Sequence, residues 1–272
     1  MRKGLILLTY LFFLALLIVP LGKMIASAGA YGLSGLLEVL SSREVLHALY
    51  LSGLIAVIVT LLNTLFGVGL ALLLVRGTRW NRRIRQVLNS MVDLPFAVSP
   101  VIGGLMILLL FGPQTVLGTF FESIGAQIVF ALPGMIIATL FVTFPLMVRE
   151  VMPVLQEAGT DQEEAAYTLG ASGWLTFRRV TWPSIRFGVL YGVVLTVARS
   201  LGEFGAVLVV SGNIINKTQT ATTLVYQEVE NFHFVAANGV AVVLAALSIL
   251  ILLLLEWAKH RKEGIFHADS GT

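Results

Sequence analysis

Two groups of ionisable residues in this sequence have the types and spacing to do more than keep a surface wet. The first lies in the stretch 150–184. There Asp161, Glu163 and Glu164 lead into Ala165, Ala166 and Gly170, and Arg178 and Arg179 precede Trp182-Pro183. Thr160 with Glu163, or Asp161 with Glu164, has the spacing of a capping box, and acidic residues at a helix start complement its dipole. Gly170 follows Leu169 where a left-handed residue would close that helix. Ser172 can cap a second short helix, which Trp182-Pro183 is expected to end. Ala165, Ala166 and Gly170 carry almost no side chain, so the backbone of another protein can approach, and Glu164 offers it one directional contact. A stiff helix–turn–helix of this kind is a docking element. The second group, Asp93, Arg199 and Glu203, stands inside apolar stretches, where an ionisable residue is costly and marks a candidate functional position.

Several chemistries are missing from the sequence. It has no cysteine, which removes disulfides and thiol catalysis. Asn216-Lys217-Thr218 is the nearest fragment to a phosphate-binding loop and lacks the glycines that cradle phosphate. His47, His233, His260 and His267 are scattered with no metal-ligand spacing, and no nucleophile elbow occurs. Neither catalytic nor metal-binding residues are expected in the chain.

The elements that position these residues follow from composition. The 272 residues are 57% hydrophobic and only 12% charged, against about 25% charged in soluble domains. With a mean hydropathy of +0.90, the expected solvent is a lipid bilayer rather than water or nucleic acid. Six stretches approach or exceed the roughly 20 residues needed to cross a membrane: Leu5–Leu21, Leu46–Val75, Val87–Phe111, Ile128–Val148, Ile185–Val210 and Val235–Trp257. The third, with Asp93, Pro95 and Pro100, and the fifth, with Arg199 and Glu203, are not expected to be plain lipid-facing rods.

Inner loops are enriched in Lys and Arg. Six spans with both ends inside place Arg2, Lys3, the loop Arg76–Arg85, Arg149, Arg178, Arg179, Arg186, Lys259, Arg261 and Lys262 on the cytoplasmic side. Only Lys23, Arg43 and Lys217 then fall outside. The Arg76–Arg85 loop reads simply as a topology determinant. Arg2, Lys3 and Ala26-Ser27-Ala28 imitate a secretory signal, but Leu5–Leu21 is longer than the roughly 7–15 residues of a signal core, so an uncleaved first span is expected. The chain 1–272 is expected to be one integral-membrane domain, with outer loops Gly22–Val45 and Ser211–Phe234. Small residues at four-residue spacing, Gly188 with Gly192, Ala48 with Ser52 and Ala56, Ala237 with Ala241 and Ala245, mark helix contacts.

Glu164-Ala165-Ala166, Gly170, Val180 and Trp182-Pro183 match, in spacing and in position between the fourth and fifth spans, the E-A-A, x3, G, x9, I-x-L-P signature. The chain therefore resembles the permeases of binding-protein-dependent ABC transporters, the type I importers. Val180 for Ile and Trp182 for Leu are mild departures. The stretches 92–100, 169–174, 177–181 and 202–207 are similar to sulfate/thiosulfate permeases of the CysW type.

The resemblance implies an all-α polytopic protein of six transmembrane helices in the bacterial inner membrane, its coupling helix seated in a groove of an ATPase subunit. It implies that Glu164, Ala165, Ala166, Leu169, Gly170 and Pro183 belong to that coupling element. It implies as partners a homologous permease in a heterodimer, two copies of a cytoplasmic ATPase that bind ATP and Mg, and a periplasmic sulfate/thiosulfate-binding protein. Molybdate or tungstate permeases share much of the pattern and are the alternative, with an ion-coupled secondary anion transporter behind them. Arg199 and Glu203, four apart, share a helix face. Either they neutralise each other or Arg199 faces the pathway of a dianion. The first reading is favoured, because Glu203 would repel such a cargo. Asp93, also anionic, is read mainly as a packing residue.

Overall fold

The computed structural model describes residues 2–30, 32–77 and 81–269. Arg79 lies outside them, as do the side chains of Arg2, Lys3, Lys259, Arg261 and Lys262. The chain forms α1 (Arg2–Ala28), α2 (Gly32–Ser41), α3 (Arg43–Arg76), α4 (Arg82–Ala97), α5 (Pro100–Phe111), α6 (Val116–Ser123) and α7 (Leu132–Ala158). It continues as α8 (Asp161–Thr168), α9 (Gly173–Thr176), a π-helical turn (Phe177–Thr181), α10 (Trp182–Leu201), α11 (Gly205–Ser211), α12 (Ala221–Glu230) and α13 (Phe234–Asp269). Among the described residues five helical runs are long and apolar enough to cross a membrane, and α4 with α5 makes a sixth when the bent pair counts as one span. They follow the order of the six apolar stretches.

The centre of the bundle is α3, α7 and α10, which share a core of Val68, Ala71, Leu74, Met147, Val151, Leu155, Ile185 and Val189. What lets three helices approach so closely is the lack of side chain on two of them. A Cβ on Gly67 would lie 2.7 Å from Met147 Cγ, and one on Gly192 2.5 Å from Met147 Sδ. A Cβ on Gly188 would lie 2.9 Å from the carbonyl oxygen of Glu150. One turn along from Gly67 and Met147, Asn63 Nδ2 donates to Thr143 Oγ1 (2.8 Å), a polar bond inside an apolar layer. The start of α12 is fastened to α3 by the Ala221 N–H, which donates to Ser52 Oγ. In contrast, α1 packs on α13 and leaves Leu7, Phe12 and Leu16 exposed, as a helix bathed in lipid would.

The third and fifth stretches are interrupted, as their Pro and ionisable residues led one to expect, while two other expectations need correction. The third stretch is not one rod: α4 and α5 meet at 110° at Val98-Ser99, where Pro100 starts a new helix. The fifth stretch ends at Leu201 and resumes at Gly205, because the Gly202-Glu203-Phe204 link leaves the helix. The fourth runs to Ala158, so the loop expected to couple starts at Gly159 rather than at Glu150. Met152 and Leu155 are buried in the core and extend the helix's inward face past the apolar run. Finally, Trp182-Pro183 does not terminate a helix. Gly173–Leu201 is one continuous helical run, and Pro183 occupies the first turn of α10 just after the π turn, whose wider winding makes room for its ring. The two loops expected to face outward hold α2 and α12.

Candidate functional site: the docking segment and two ion pairs

At one end of the bundle the last turns of α3 and α7 and the start of α10 converge near Arg76, Arg85, Arg178, Arg179 and Arg186; this is called the basic end below. The segment α8–α9 hangs from it. No residue of α8 is buried, and Leu169 and Trp174 are 88% and 71% exposed. Trp174 stacks on Phe177, whose ring lies 6.3 Å from that of Trp182, giving an exposed aromatic ridge beside the helix. So much apolar surface at the tip of a small segment is of the kind that protein contacts use.

The stops that shape this segment are local. Gly170 takes a left-handed φ of +83°, its N–H bonding to Tyr167 O while that of Ala171 reaches Ala166 O, a complete Schellman closure. Nothing lies within 4 Å of a Cβ built on Gly170, so conformation and not internal space asks for glycine. Ser172 Oγ accepts from the Leu175 N–H and caps α9 as expected. The capping box did not form. Thr160 lies in helical space at the N-cap, and its hydroxyl donates to Glu164 Oε1 (2.7 Å) instead of accepting from the backbone.

Glu163 is free of that box and turns inward. Its Oε2 accepts from Arg76 Nε (3.0 Å) and its Oε1 from Thr181 Oγ1 (2.9 Å), while Arg76 Nη2 donates to the carbonyl of Gly159 (2.5 Å). Arg76 was read only as a topology residue and Glu163 only as a cap; neither reading foresaw this bond between residues 87 apart. The cue was two adjacent carboxylates at a helix start, where one backbone end needs at most one of them. Arg85 likewise does more than set topology, donating to the carbonyl of Gly77.

Asp93, Arg199 and Glu203 do not come together. Arg149 Nε donates to Asp93 Oδ1 (2.8 Å) and its Nη2 to Oδ2 (2.5 Å), a bidentate clamp between α7 and α4. That clamp is level with Gly188, whereas Arg199 lies about 16 Å further along α10, eleven residues at 1.5 Å each. There Arg199 Nη1 meets Glu203 Oε2 at 2.8 Å. Glu203 is almost wholly buried, and its Oε1 accepts from the Ala206 N–H left open where the helix breaks. Thr222 of α12 donates to the Glu203 main-chain oxygen. The carboxylate thus repairs the break, and Arg199 neutralises it with 38% of its side chain still exposed. Among the described residues no group of three or more His, Cys, Asp or Glu is close enough to hold a metal ion.

Comparison with known proteins agrees with this architecture. Residues 63–262 match the family described as binding-protein-dependent transport system inner membrane component. The chain is 46% identical over 260 residues to the sulfate transport system permease protein CysW of Synechocystis sp., covering 95% of this chain and 93% of that protein. It is 42% identical over 251 residues to CysW of Escherichia coli K12, covering 91% and 85%. A chain of the crystal structure of a bacterial alginate ABC transporter, in complex with an alginate pentasaccharide-bound periplasmic protein, superposes with a TM-score of 0.80 at 17% identity, over 96% of this chain and 94% of that one. At that identity the last comparison bears on the fold.

Proposed function

Because the chain belongs to the family of binding-protein-dependent transport system inner membrane components, we propose that it is the permease subunit of an ATP-driven importer of sulfate or thiosulfate. The observation that carries the cargo is the 46% identity, sustained over almost the whole chain, to a relative named as a sulfate permease. The chain supplies half of a translocation path and no catalytic group. A homologous permease supplies the other half, a periplasmic binding protein delivers the anion, and two ATPase subunits bind ATP and Mg. The basic end faces the cytoplasm, which the excess of arginine there supports.

Coupling runs through α8. Glu164, Ala165, Ala166, Leu169 and Gly170 form the face that meets the ATPase, with Tyr167 and Trp174 flanking it; exposure of Leu169 and Trp174 supports this assignment. Pro183 belongs to the base of the element and not to its contact face. Of the two readings of Arg199, neutralisation is the one the pair supports: it balances the buried Glu203 carboxylate at the helix break, with 38% of its own side chain exposed. Asp93 locks α4 to α7 through Arg149 and makes no contact with cargo.

The test is uptake of labelled sulfate by the assembled complex in proteoliposomes, with binding protein outside and ATP inside. ATP-dependent accumulation that thiosulfate inhibits and molybdate does not is the expected result. Accumulation of molybdate in preference to sulfate would reassign the cargo, and uptake driven by an ion gradient without the ATPase would end the reading altogether.

A further inference from the structure

Glu163 and Glu164 are neighbours whose carboxylates serve opposite sides. Glu164 is exposed and bonds the hydroxyl of Thr160, one turn back on its own helix. Glu163 keeps 15% of its side chain exposed and bonds only to groups outside α8. Its partner Arg76 is the last residue of α3 and also holds the carbonyl of Gly159, where α7 stops. Its other partner, Thr181, is buried in the π turn that feeds α10. A helical Thr hydroxyl commonly bonds the carbonyl one turn back. Here Phe177 O, four residues before Thr181, already takes the Trp182 N–H, and the hydroxyl reaches across to Glu163. One carboxylate therefore joins α8 to the ends of all three helices that form the core.

Little else could do so. No residue of α8 is buried, so apolar packing holds it weakly. Its two chain connections pass through Gly159 (φ +63°) and Gly170 (φ +83°), conformations suited to glycine. We propose that Glu163 is the positioning residue that passes displacement of the docking helix to α3, α7 and α10, so that movement of the ATPase opens and closes the membrane path. This rests on the docking role of α8 proposed above.

The experiment uses the assembled complex in proteoliposomes and reads three quantities: ATPase subunit co-purified with the permease, ATP hydrolysed, and anion accumulated per ATP, for whichever oxyanion the wild type carries. Glu163→Gln is expected to retain ATPase capture while accumulation per ATP falls roughly 5- to 150-fold, the usual range of a coupling between sites. Arg76→Gln should do the same, and the double variant should be no worse than the worse single one, since both break one node. Thr181→Val removes one arm and should give an intermediate loss, which serves where Glu163→Gln reduces the yield of complex. Normal accumulation per ATP in Glu163→Gln and Thr181→Val would overturn the proposal, as would independent, multiplying losses in the double variant. Leu169→Glu is measured alongside. If that variant still captures the ATPase fully, the docking assignment itself fails; if it loses capture while Glu163→Gln couples normally, only the transmission role fails.

Discussion

Two ion pairs among the described residues, Arg76–Glu163 and Arg199–Glu203, lie near opposite ends of α10 and do different work. Arg199 and Glu203 are four residues apart, within one turn, and their pair compensates a break in the chain that contains them. Arg76 and Glu163 come from remote parts of the chain and join elements that otherwise meet at glycine links. The first pair lies in a buried setting where removing a partner leaves a charge stranded. The second is also largely enclosed, with 19% of Arg76 and 15% of Glu163 exposed, but Glu163 belongs to a helix with no buried residue. A local pair of this sort maintains a shape; a long-range pair can also pass on a motion. The contrast predicts that substitutions near the helix break act on stability, whereas those on the docking segment act on partner binding at its exposed face and on coupling at Glu163.

The largest expected effect is that of Glu203→Ala, which strands Arg199 and leaves the Ala206 N–H without its acceptor. The cost should be about 2–4 kcal/mol, below that of a fully enclosed pair because part of Arg199 reaches solvent. A fall in the melting temperature of the purified permease checks it, and an unchanged value would erase the contrast. Gly192→Ala comes next, at about 1–3 kcal/mol, since the new methyl meets Met147 in the three-helix core. If Met147 can swing aside without loss, the close approach of α7 and α10 is not essential. Gly170→Ala should cost about 1 kcal/mol, the strain of a left-handed alanine, with no clash because the space is open. Its melting temperature should barely move while ATPase capture weakens. Smallest in stability is Leu169→Glu, expected within about ±0.5 kcal/mol because the side chain is 88% exposed. Yet it should abolish capture of the ATPase in a pull-down, so the same substitution separates the two regions most cleanly.

Much of the docking segment was legible in the sequence because its conformation is settled residue by residue. Gly170 closes α8 and Ser172 caps α9 through contacts that span at most five residues. The six apolar stretches were legible for a similar reason, since the bilayer sets one length and rewards one composition. Pro183 was misread because proline need not stop a helix in this bundle: α7 runs on through Pro145 and Pro153, and Pro183 stands in the first turn of α10. The π turn before it is held by neighbours that the local sequence does not display, among them Glu163 reaching Thr181. The ends of α7 and α10 were misplaced by the same logic, for burial of Met152 and Leu155 and repair of the break by Glu203 depend on what packs opposite.

By itself the sequence determined that the chain is a helical membrane protein with a short small-residue helix between its fourth and fifth spans. Length, apolarity and capping chemistry are local quantities, readable one segment at a time. Only the tertiary structure decided which of two adjacent carboxylates faces outward and which faces the bundle. It also decided that Asp93 is matched by Arg149 and that Arg199 stands far from both. Those outcomes depend on where distant charges come to lie. In a low-dielectric setting a charge is stable only beside its partner, and it is the packing of α3, α7 and α10 that brings Arg76 to Glu163.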